Sequence, residues 1–181
     1  MYLGLSNTET ISKVDRDKIL NSIRTALLTR GESVAVAESV TAGNLQAALS
    51  LAEQAMAFFQ GGVTAYNLVQ KATHLGVDPL DAERCNCVSG NIASVMAESV
   101  MQTFNCEWGI GITGYAAPVP EWGVGDEVFA YYAFAYKGEC VLLEKIQTRA
   151  SEMEKVQRYY VLHVLENFAR FVTDRSKRNL K

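Results

Sequence analysis

Apolar residues recur along the chain with two spacings, one typical of helices and the other of buried strands. Residues 14–30 place apolar side chains three or four positions apart among charged ones, which predicts an amphipathic helix. Gly31 follows at the position where helices commonly end. Residues 34–37 read Val-Ala-Val-Ala, a short apolar run that predicts a buried strand. The first two predicted elements are therefore a helix and a strand.

Helix and strand patterns continue to alternate, except for one predicted hairpin. Further helices are predicted for residues 41–51, 67–74, 89–104 and 151–172, and further strands for residues 61–66, 109–113, 128–136 and 140–147. Lys137-Gly138 joins the last two strands and suits a tight turn. This order favours the α/β class: a three-layer α/β/α sandwich with a mostly parallel sheet and an antiparallel hairpin. We expect one domain over residues 1–181.

Composition and charge narrow the classes of partner. The chain has 181 residues, of which 49% are apolar and 20% charged, as in an ordinary globular protein. Its formal net charge of −3 offers no attraction to nucleic acid or to an anionic membrane. No apolar run approaches the roughly 20 residues that span a bilayer, and residues 1–18 lack the pattern of a signal peptide. We therefore expect a cytoplasmic protein that binds neither nucleic acid nor membrane.

The four cysteines are interpreted as free thiols. Without an export signal, disulfides are not expected. Cys85-Asn86-Cys87 has the wrong spacing for a zinc site, and no second cysteine pair with metal-ligand spacing follows. We therefore predict no metal.

Three polar or glycine-containing segments follow predicted strands. They are residues 38–43 (Glu-Ser-Val-Thr-Ala-Gly), Tyr66-Asn67 running on to Lys71, and residues 113–118 (Thr-Gly-Tyr-Ala-Ala-Pro). In open α/β sheets, ligands bind beyond the carboxyl ends of the strands. The three segments therefore predict a ligand site at that edge of the sheet.

Ser39 is a candidate nucleophile, but a serine hydroxyl needs a base to remove its proton. The two histidines, His74 and His163, fall near a helix end and inside the last helix, so a Ser-His-Asp triad is poorly supported. Lys71 is an alternative base, provided that burial keeps its amine neutral near pH 7. A serine–lysine pair is therefore the chemical hypothesis that the residues allow.

Each of these residues also has a structural interpretation that spacing leaves open. Ser39 and Thr41 suit a turn or helix cap, and Lys71 suits a solvated surface position. Gly43 and Gly114 suit tight turns. Residues 111–118 match neither the dinucleotide-binding nor the P-loop pattern, although backbone N–H groups at such a corner can hold a phosphate or an oxyanion.

These motifs resemble those of the CinA C-terminal domain family, the competence/damage-inducible proteins that include stand-alone nicotinamide mononucleotide deamidases. The resemblance covers about residues 15–172. The family run A-E-S-C-T-G-G matches residues 37–43, and T-G-I-A-G-P matches residues 113–118. The family pattern G-G-V-V-T-Y-S-N-x-x-K-x-x-x-L-G-V matches residues 61–77 with the spacing from tyrosine to lysine kept.

The resemblance implies an amidohydrolase that converts nicotinamide mononucleotide and water into nicotinate mononucleotide and ammonia, with no metal or other cofactor. By carry-over, Ser39 attacks the carboxamide carbon, Lys71 takes the serine proton, and Tyr66 assists the lysine. Backbone N–H groups near Ser39 bind the developing oxyanion. The substrate contacts expected with this assignment are Glu38, Thr41, Gly43, Asn67, Thr113, Gly114 and Arg149.

The resemblance also implies self-association, since family members commonly associate. The aromatic residues of the predicted hairpin, Phe129, Tyr131 and Tyr132, are candidates for an interface between copies. The partners expected are therefore a small nucleotide substrate and a second copy of the chain in a homo-oligomer.

Several positions depart from the family pattern. Val40 replaces a cysteine, and Ala42 replaces a glycine, so that a left-handed backbone at Ala42 would be strained. The loop 119–123 is shorter and more apolar, and Met153 and Gln157 fall where family arginines are expected; Arg149 or Arg158 is the possible substitute. These departures leave open a second interpretation: a weakened or inactive paralogue that binds a nucleotide, regulates, or acts on a different amide.

Overall fold

The computed structural model describes residues 13–178. The strands are β1 (Val34–Glu38), β2 (Phe59–Thr64), β3 (Trp108–Gly114), β4 (Glu127–Tyr136) and β5 (Glu139–Arg149). The α-helices are α1 (Lys13–Arg30), α2 (Asn44–Ser50), α3 (Leu68–Leu75), α4 (Pro79–Arg84), α5 (Gly90–Thr103) and α6 (Met153–Arg178). None of the helices in this part of the chain is long and apolar enough to cross a membrane.

The strands form one sheet in the order β2-β1-β3-β4-β5. Strand β1 is parallel to both β2 and β3, whereas β4 is antiparallel to β3 and β5 is antiparallel to β4. Four of the five strands therefore run in the same direction. This confirms the predicted α/β class, with a mostly parallel sheet and an antiparallel hairpin.

Alternating side chains of the strands divide the core into two layers, one on each face of the sheet. In β1, Val34 and Val36 belong to the cluster formed with α1, α2 and α6, while Ala35 and Ala37 belong to the cluster formed with α3, α4 and α5. Helices thus cover both faces, and every residue of β1 is buried. This burial explains why residues 34–37 of β1 form a continuous apolar run.

Glycines in β3 let α5 pack directly on the sheet. A Cβ at Gly109 would lie 1.9 Å from the carbonyl oxygen of Ala97, and one at Gly111 would lie 2.3 Å from that of Ala93. Ser89 begins α5 as the sequence predicts, because its hydroxyl accepts a hydrogen bond from the Ile92 N–H at 3.2 Å. The close contact between α5 and β3 fixes one wall of the cavity described below.

The structure differs from the predicted elements in two places. Strand β2 begins at Phe59 and ends at Thr64, so it starts and stops two residues earlier than the pattern indicates. Pro79 does not merely end α3, which Gly76 already does in a left-handed conformation; it begins a further helix, α4. Asp78 caps α4 by accepting from the backbone N–H of Leu80 at 2.7 Å, and a proline at the first position suits such a start.

One residue of the predicted interface is excluded from the surface. Tyr132 is fully buried in the core, and its hydroxyl donates a hydrogen bond to Glu144. Phe129 and Tyr131 are half-buried, and the Lys145 ammonium lies 4.1 Å from the centroid of the Phe129 ring. The prediction of Tyr132 as an interface residue is therefore wrong, because its side chain alternates onto the core face of β4; self-association stays a prediction.

Candidate active site

A cavity of about 470 Å³ lies beyond the carboxyl ends of β1, β2 and β3. All three segments singled out by the sequence contribute to its wall: residues 39–40, residues 66–68 together with Lys71, and residues 113–117. Parallel strands end at the same edge of a sheet, which is why segments far apart in sequence meet here. The volume lies within the range of small-molecule sites.

Ser39 and Lys71 form the central contact of this cavity. The Lys71 Nζ donates a hydrogen bond to the Ser39 Oγ at 2.9 Å. Both side chains are buried, with Lys71 2% and Ser39 6% exposed. Burial lowers the pKa of Lys71, and this outweighs the opposing influence of the Cys87 and Cys85 thiols nearby. A buried amine beside a hydroxyl is suited to act as the base that activates a serine.

The segment of residues 39–43, here called the nucleophile turn, reverses the chain between β1 and α2. The Ser39 N–H donates to the Ile112 carbonyl at 3.1 Å, which continues the β1–β3 pairing as far as the serine. Ala42 (φ 52°) and Gly43 (φ 94°) are both left-handed. The expected strain at Ala42 is thus present, at a cost of about 1–2 kcal/mol for a residue with a side chain. Strained backbone of this kind commonly marks a functional turn.

Glu38 holds the nucleophile turn from the strand side. Its fully buried carboxylate accepts hydrogen bonds from three backbone N–H groups: Gly43 at 3.1 Å, Leu45 at 2.9 Å and Gln46 at 2.7 Å. These donors belong to the first turn of α2, where a negative charge is favourable. Glu38 does not line the cavity, so its position is that of a support for the turn and not of a substrate contact.

Two further side chains meet the same turn. Gln157 of α6 is buried, and its Nε2 donates to the Val40 carbonyl at 2.8 Å. Asn44 donates to the Thr41 carbonyl at 2.7 Å. The Thr41 hydroxyl is buried without a hydrogen-bond partner among residues 13–178. An unsatisfied hydroxyl costs about 1–3 kcal/mol, and this one lies two residues from Ser39.

The other predicted site residues are divided between the wall and its support. Tyr66 lines the cavity but is 63% exposed. Asn67 caps α3 by accepting from the Gln70 N–H at 3.0 Å, and this places Lys71 on the first turns of that helix. Thr113 is buried and donates to the Cys87 carbonyl at 2.7 Å. Gly114 lines the cavity and packs against Ala130, where a Cβ would lie 2.5 Å away.

Four of the seven predicted substrate contacts do not reach the cavity wall: Gly43 and Arg149, together with Glu38 and Thr41 described above. Gly43 contributes its backbone to the turn and donates to Glu38. Arg149 is exposed at the end of β5, where its backbone lies opposite Glu127 in the register of the hairpin. Strand β5 lies at the edge of the sheet, two positions from β3, and Arg149 is not among the residues that line the cavity.

Sequence reasoning missed the wall formed by α4 and the turn after it. Glu83, Asn86 and Cys87 all line the cavity. Asn86 (φ 48°) and Cys87 (φ 61°) are left-handed, and the Asn86 side chain donates to the Tyr115 hydroxyl at 3.2 Å. Asparagine tolerates this conformation better than most residues, so Asn86 was the residue in the sequence that could have indicated a left-handed turn here.

The remaining wall comes from the loop before β4 and from α6. Trp122 and Met153 line the cavity and are 46% and 48% exposed. All four cysteines are free thiols. No group of three or more metal-ligating side chains with a geometry able to hold a metal occurs among the residues that the structure describes.

The family model for the CinA C-terminal domain matches residues 16–172. A CinA-like protein of Synechocystis is 44% identical over 104 residues, which cover 58% of this chain and 25% of that protein. A CinA-like protein of Rippkaea orientalis is 38% identical over 104 residues, with the same coverage of 58% and 25%. The matched region thus spans about a quarter of the length of these relatives.

Solved structures support the same fold. A competence or damage-inducible protein from Enterobacter asburiae superposes with a TM-score of 0.75 at 24% identity, covering 87% of this chain and 98% of that one. A CinA superfamily protein from Enterobacter cloacae gives a TM-score of 0.76 at 23% identity, covering 95% and 99%. At these identities the likeness concerns the fold alone.

Proposed function

The chain belongs to the CinA C-terminal domain family, and on that premise we propose that it is a serine–lysine amidohydrolase that releases ammonia from a nicotinamide-bearing carboxamide. The observation that carries this proposal is the buried contact of 2.9 Å between the Lys71 Nζ and the Ser39 Oγ in the wall of the cavity. Nicotinamide mononucleotide is the substrate that the family resemblance implies, and it is the first to assay.

The first half of the proposed reaction forms an acyl-enzyme. The Ser39 Oγ attacks the carboxamide carbon while its proton passes to the Lys71 Nζ. The carbonyl oxygen becomes an oxyanion, for which the Val40 N–H beside the nucleophile is the candidate donor. When the intermediate collapses, the C–N bond breaks, and Lys71 returns the proton to the leaving nitrogen to give ammonia.

The second half restores the serine. Water attacks the acyl carbon and gives its proton to Lys71. The C–O bond to Ser39 then breaks, and Lys71 protonates the Ser39 Oγ as the carboxylic acid leaves. The low exposure of Lys71 supports this role, because a desolvated amine is more readily kept neutral.

Glu38 and Gln157 act in this scheme as positioning residues, since they hold the nucleophile turn by its backbone. Thr41 is fully buried and does not line the cavity, so we assign it to the support of the turn and not to substrate contact. Tyr66 is proposed as part of the ligand wall, and proton transfer is left to Lys71.

Binding without turnover is a second candidate function. It is favoured by the exposure of Tyr66, which leaves the lysine without the tyrosine assistance that the family resemblance implies. The same assay separates the two functions, because a binding protein would retain the ligand and release no ammonia.

The test is ammonia release from nicotinamide mononucleotide by wild-type protein and by the variants Ser39→Ala and Lys71→Met. Each variant is expected to lower kcat by about a thousandfold or more, since both residues act in the same bond-making step. Ser50→Ala is the matched control: this exposed serine of α2 bonds only to the Ala47 carbonyl, and activity should be kept.

Unchanged turnover in Ser39→Ala would remove this serine from the mechanism. A folded wild-type protein that binds the nucleotide without releasing ammonia would favour the second candidate.

A further inference from the structure

Two charged side chains occur in the cavity wall within residues 13–178, and they differ in their access to a ligand. Lys71 is buried, and its amine already forms a hydrogen bond with the Ser39 hydroxyl. Glu83 of α4 lines the cavity and is exposed. The charge that a ligand meets at the open part of the wall is therefore a carboxylate, which repels a phosphate and attracts a cation.

The positions closest in sequence to the family arginines reinforce this pattern. Met153 presents a thioether to the cavity, and Gln157 is committed to the Val40 carbonyl. Arg158 of α6 lies 3.8 Å from Glu154, and Arg84 of α4 lies 3.5 Å from Asp81, both on exposed faces. Neither of these arginines lines the cavity, so the rim formed by α4 and α6 is apolar and acidic.

Aromatic faces complete the wall. Tyr66 and Trp122 both line the cavity and leave much of their rings exposed. A positively charged ring stacked on such faces gains cation–π energy. Tyr115 and Asn86, joined by a hydrogen bond of 3.2 Å, add polar groups of the kind that bind sugar hydroxyls.

From this wall we infer that the cavity takes the carboxamide of a cationic pyridinium nucleoside that carries no phosphate, in preference to the corresponding mononucleotide. Glu83 and the aromatic side chains favour the positive ring, and the acidic, apolar rim disfavours the phosphate. This inference rests on the proposed function for its chemistry, but it concerns the ligand and can be tested by binding alone.

The first experiment measures binding to Ser39→Ala protein by calorimetry, with nicotinamide riboside and nicotinamide mononucleotide as the two probes. They carry the same carboxamide, ring and ribose and differ in the phosphate. We expect the riboside to bind at least tenfold more tightly. Equal affinities, tighter binding of the mononucleotide, or no binding of either probe would overturn the inference.

Variants with matched controls show which residues cause the preference for the riboside over the mononucleotide. Glu83→Gln is expected to narrow the affinity ratio at least threefold, whereas Glu166→Gln, an exposed carboxylate of α6 outside the cavity wall, should leave it unchanged. Met153→Arg is expected to reverse the preference, and Met153→Gln controls for polarity without charge. A ratio that none of the cavity variants moves would overturn the assignment to this rim.

Ammonia release by the wild-type protein from the same two probes separates this inference from the proposed function. Release that is at least tenfold more efficient from the riboside supports both. Release that is faster from the mononucleotide leaves the amidohydrolase standing and overturns the preference. Tighter binding of the riboside without any ammonia removes the proposed chemistry but keeps the ligand class.

Discussion

Lys71 is a residue whose burial has consequences for both catalysis and stability. Its pKa lies below the ordinary 10.5 because the folded protein desolvates the ammonium. The free amine is the form that can accept the serine proton. The rate of amide hydrolysis is therefore expected to rise with pH and to level off at the lowered pKa of Lys71, before the ordinary lysine value is reached.

The same shift predicts how stability depends on pH. Between the lowered pKa of Lys71 and 10.5, the unfolded chain binds more protons at this residue than the folded protein does. The contribution of Lys71 to the free energy of unfolding therefore rises with pH across this window. The variant Lys71→Met keeps the apolar stem and removes the charge, so it should be more stable than wild type at neutral pH.

Urea unfolding of both proteins between pH 7 and 9.5 checks this prediction. The stability gap between Lys71→Met and wild type is expected to be largest at the lowest pH and to shrink as the pH rises. Taking the difference removes the contributions of the cysteine thiols to a first approximation. Two parallel curves would mean that Lys71 titrates alike in the folded and unfolded states.

At the scale of the element, the nucleophile turn connects β1 to α2, and hydrogen bonds hold the two elements together. The carboxylate of Glu38 binds the beginning of α2 through three N–H groups, and Gln157 holds Val40 from α6. Helix α2 has only seven residues, too few to be stable by itself. Its attachment to Glu38 is therefore part of what places Ser39 at the cavity.

The variant Glu38→Gln tests whether the attachment of α2 to the Glu38 carboxylate matters for stability and activity. A glutamine offers one acceptor oxygen and introduces an N–H group that faces other donors, so we expect a loss of about 2–3 kcal/mol in the free energy of unfolding. Because Ser39 is the next residue, kcat should also fall at least tenfold, with a smaller effect on KM. Urea unfolding and steady-state kinetics measure the two effects.

Glu53→Gln is the matched control, since this exposed carboxylate forms a surface ion pair with Arg24. Such pairs contribute about 0–1 kcal/mol, and the control should keep full activity. A Glu38→Gln protein that is destabilised yet retains wild-type kcat would limit Glu38 to a role in folding.

Over the whole molecule, local patterns allowed some elements to be predicted and not others. Strand β1 and the start of α5 were predictable, because an apolar run and the serine cap at Ser89 are signals contained in neighbouring residues. Strand β2 is displaced by two residues because the prediction begins the strand at Gly61 and not at Phe59. The structure places Gly62 within the strand, where a Cβ would lie 2.3 Å from the Val36 carbonyl oxygen; that requirement comes from the neighbouring strand.

The site shows the same limit. The residues suggested a serine–lysine pair but left Ser39 open as a cap and Lys71 open as a surface lysine, because spacing does not show that residues 32 positions apart are in contact. Arg149 was misplaced because it was chosen as a substitute for the family arginines by its position in the sequence, which does not show that its strand lies at the edge of the sheet. Asn86 and Cys87 were missed because they reach the cavity through a left-handed turn after α4. Helix α4 was not predicted, because Pro79 was interpreted as the end of α3.

The contact between α5 and β3 connects the layers of the whole molecule to the cavity, and it is the basis of a last prediction. In Gly109→Ala the new Cβ would lie 1.9 Å from the Ala97 carbonyl oxygen, a clash with backbone that only a shift of α5 can relieve. We expect a loss of about 3 kcal/mol or more, at the upper end for overpacked cores. Gly125→Ala, where nothing lies within 4 Å of the new Cβ, should unfold like the wild type.

Since Cys87 and Val88 line the cavity just before Ser89 begins α5, a folded Gly109→Ala protein should also bind its ligand more weakly, as measured by calorimetry. Wild-type stability in Gly109→Ala would show that α5 and β3 can separate without cost, and the close packing would then not be what holds this wall in place.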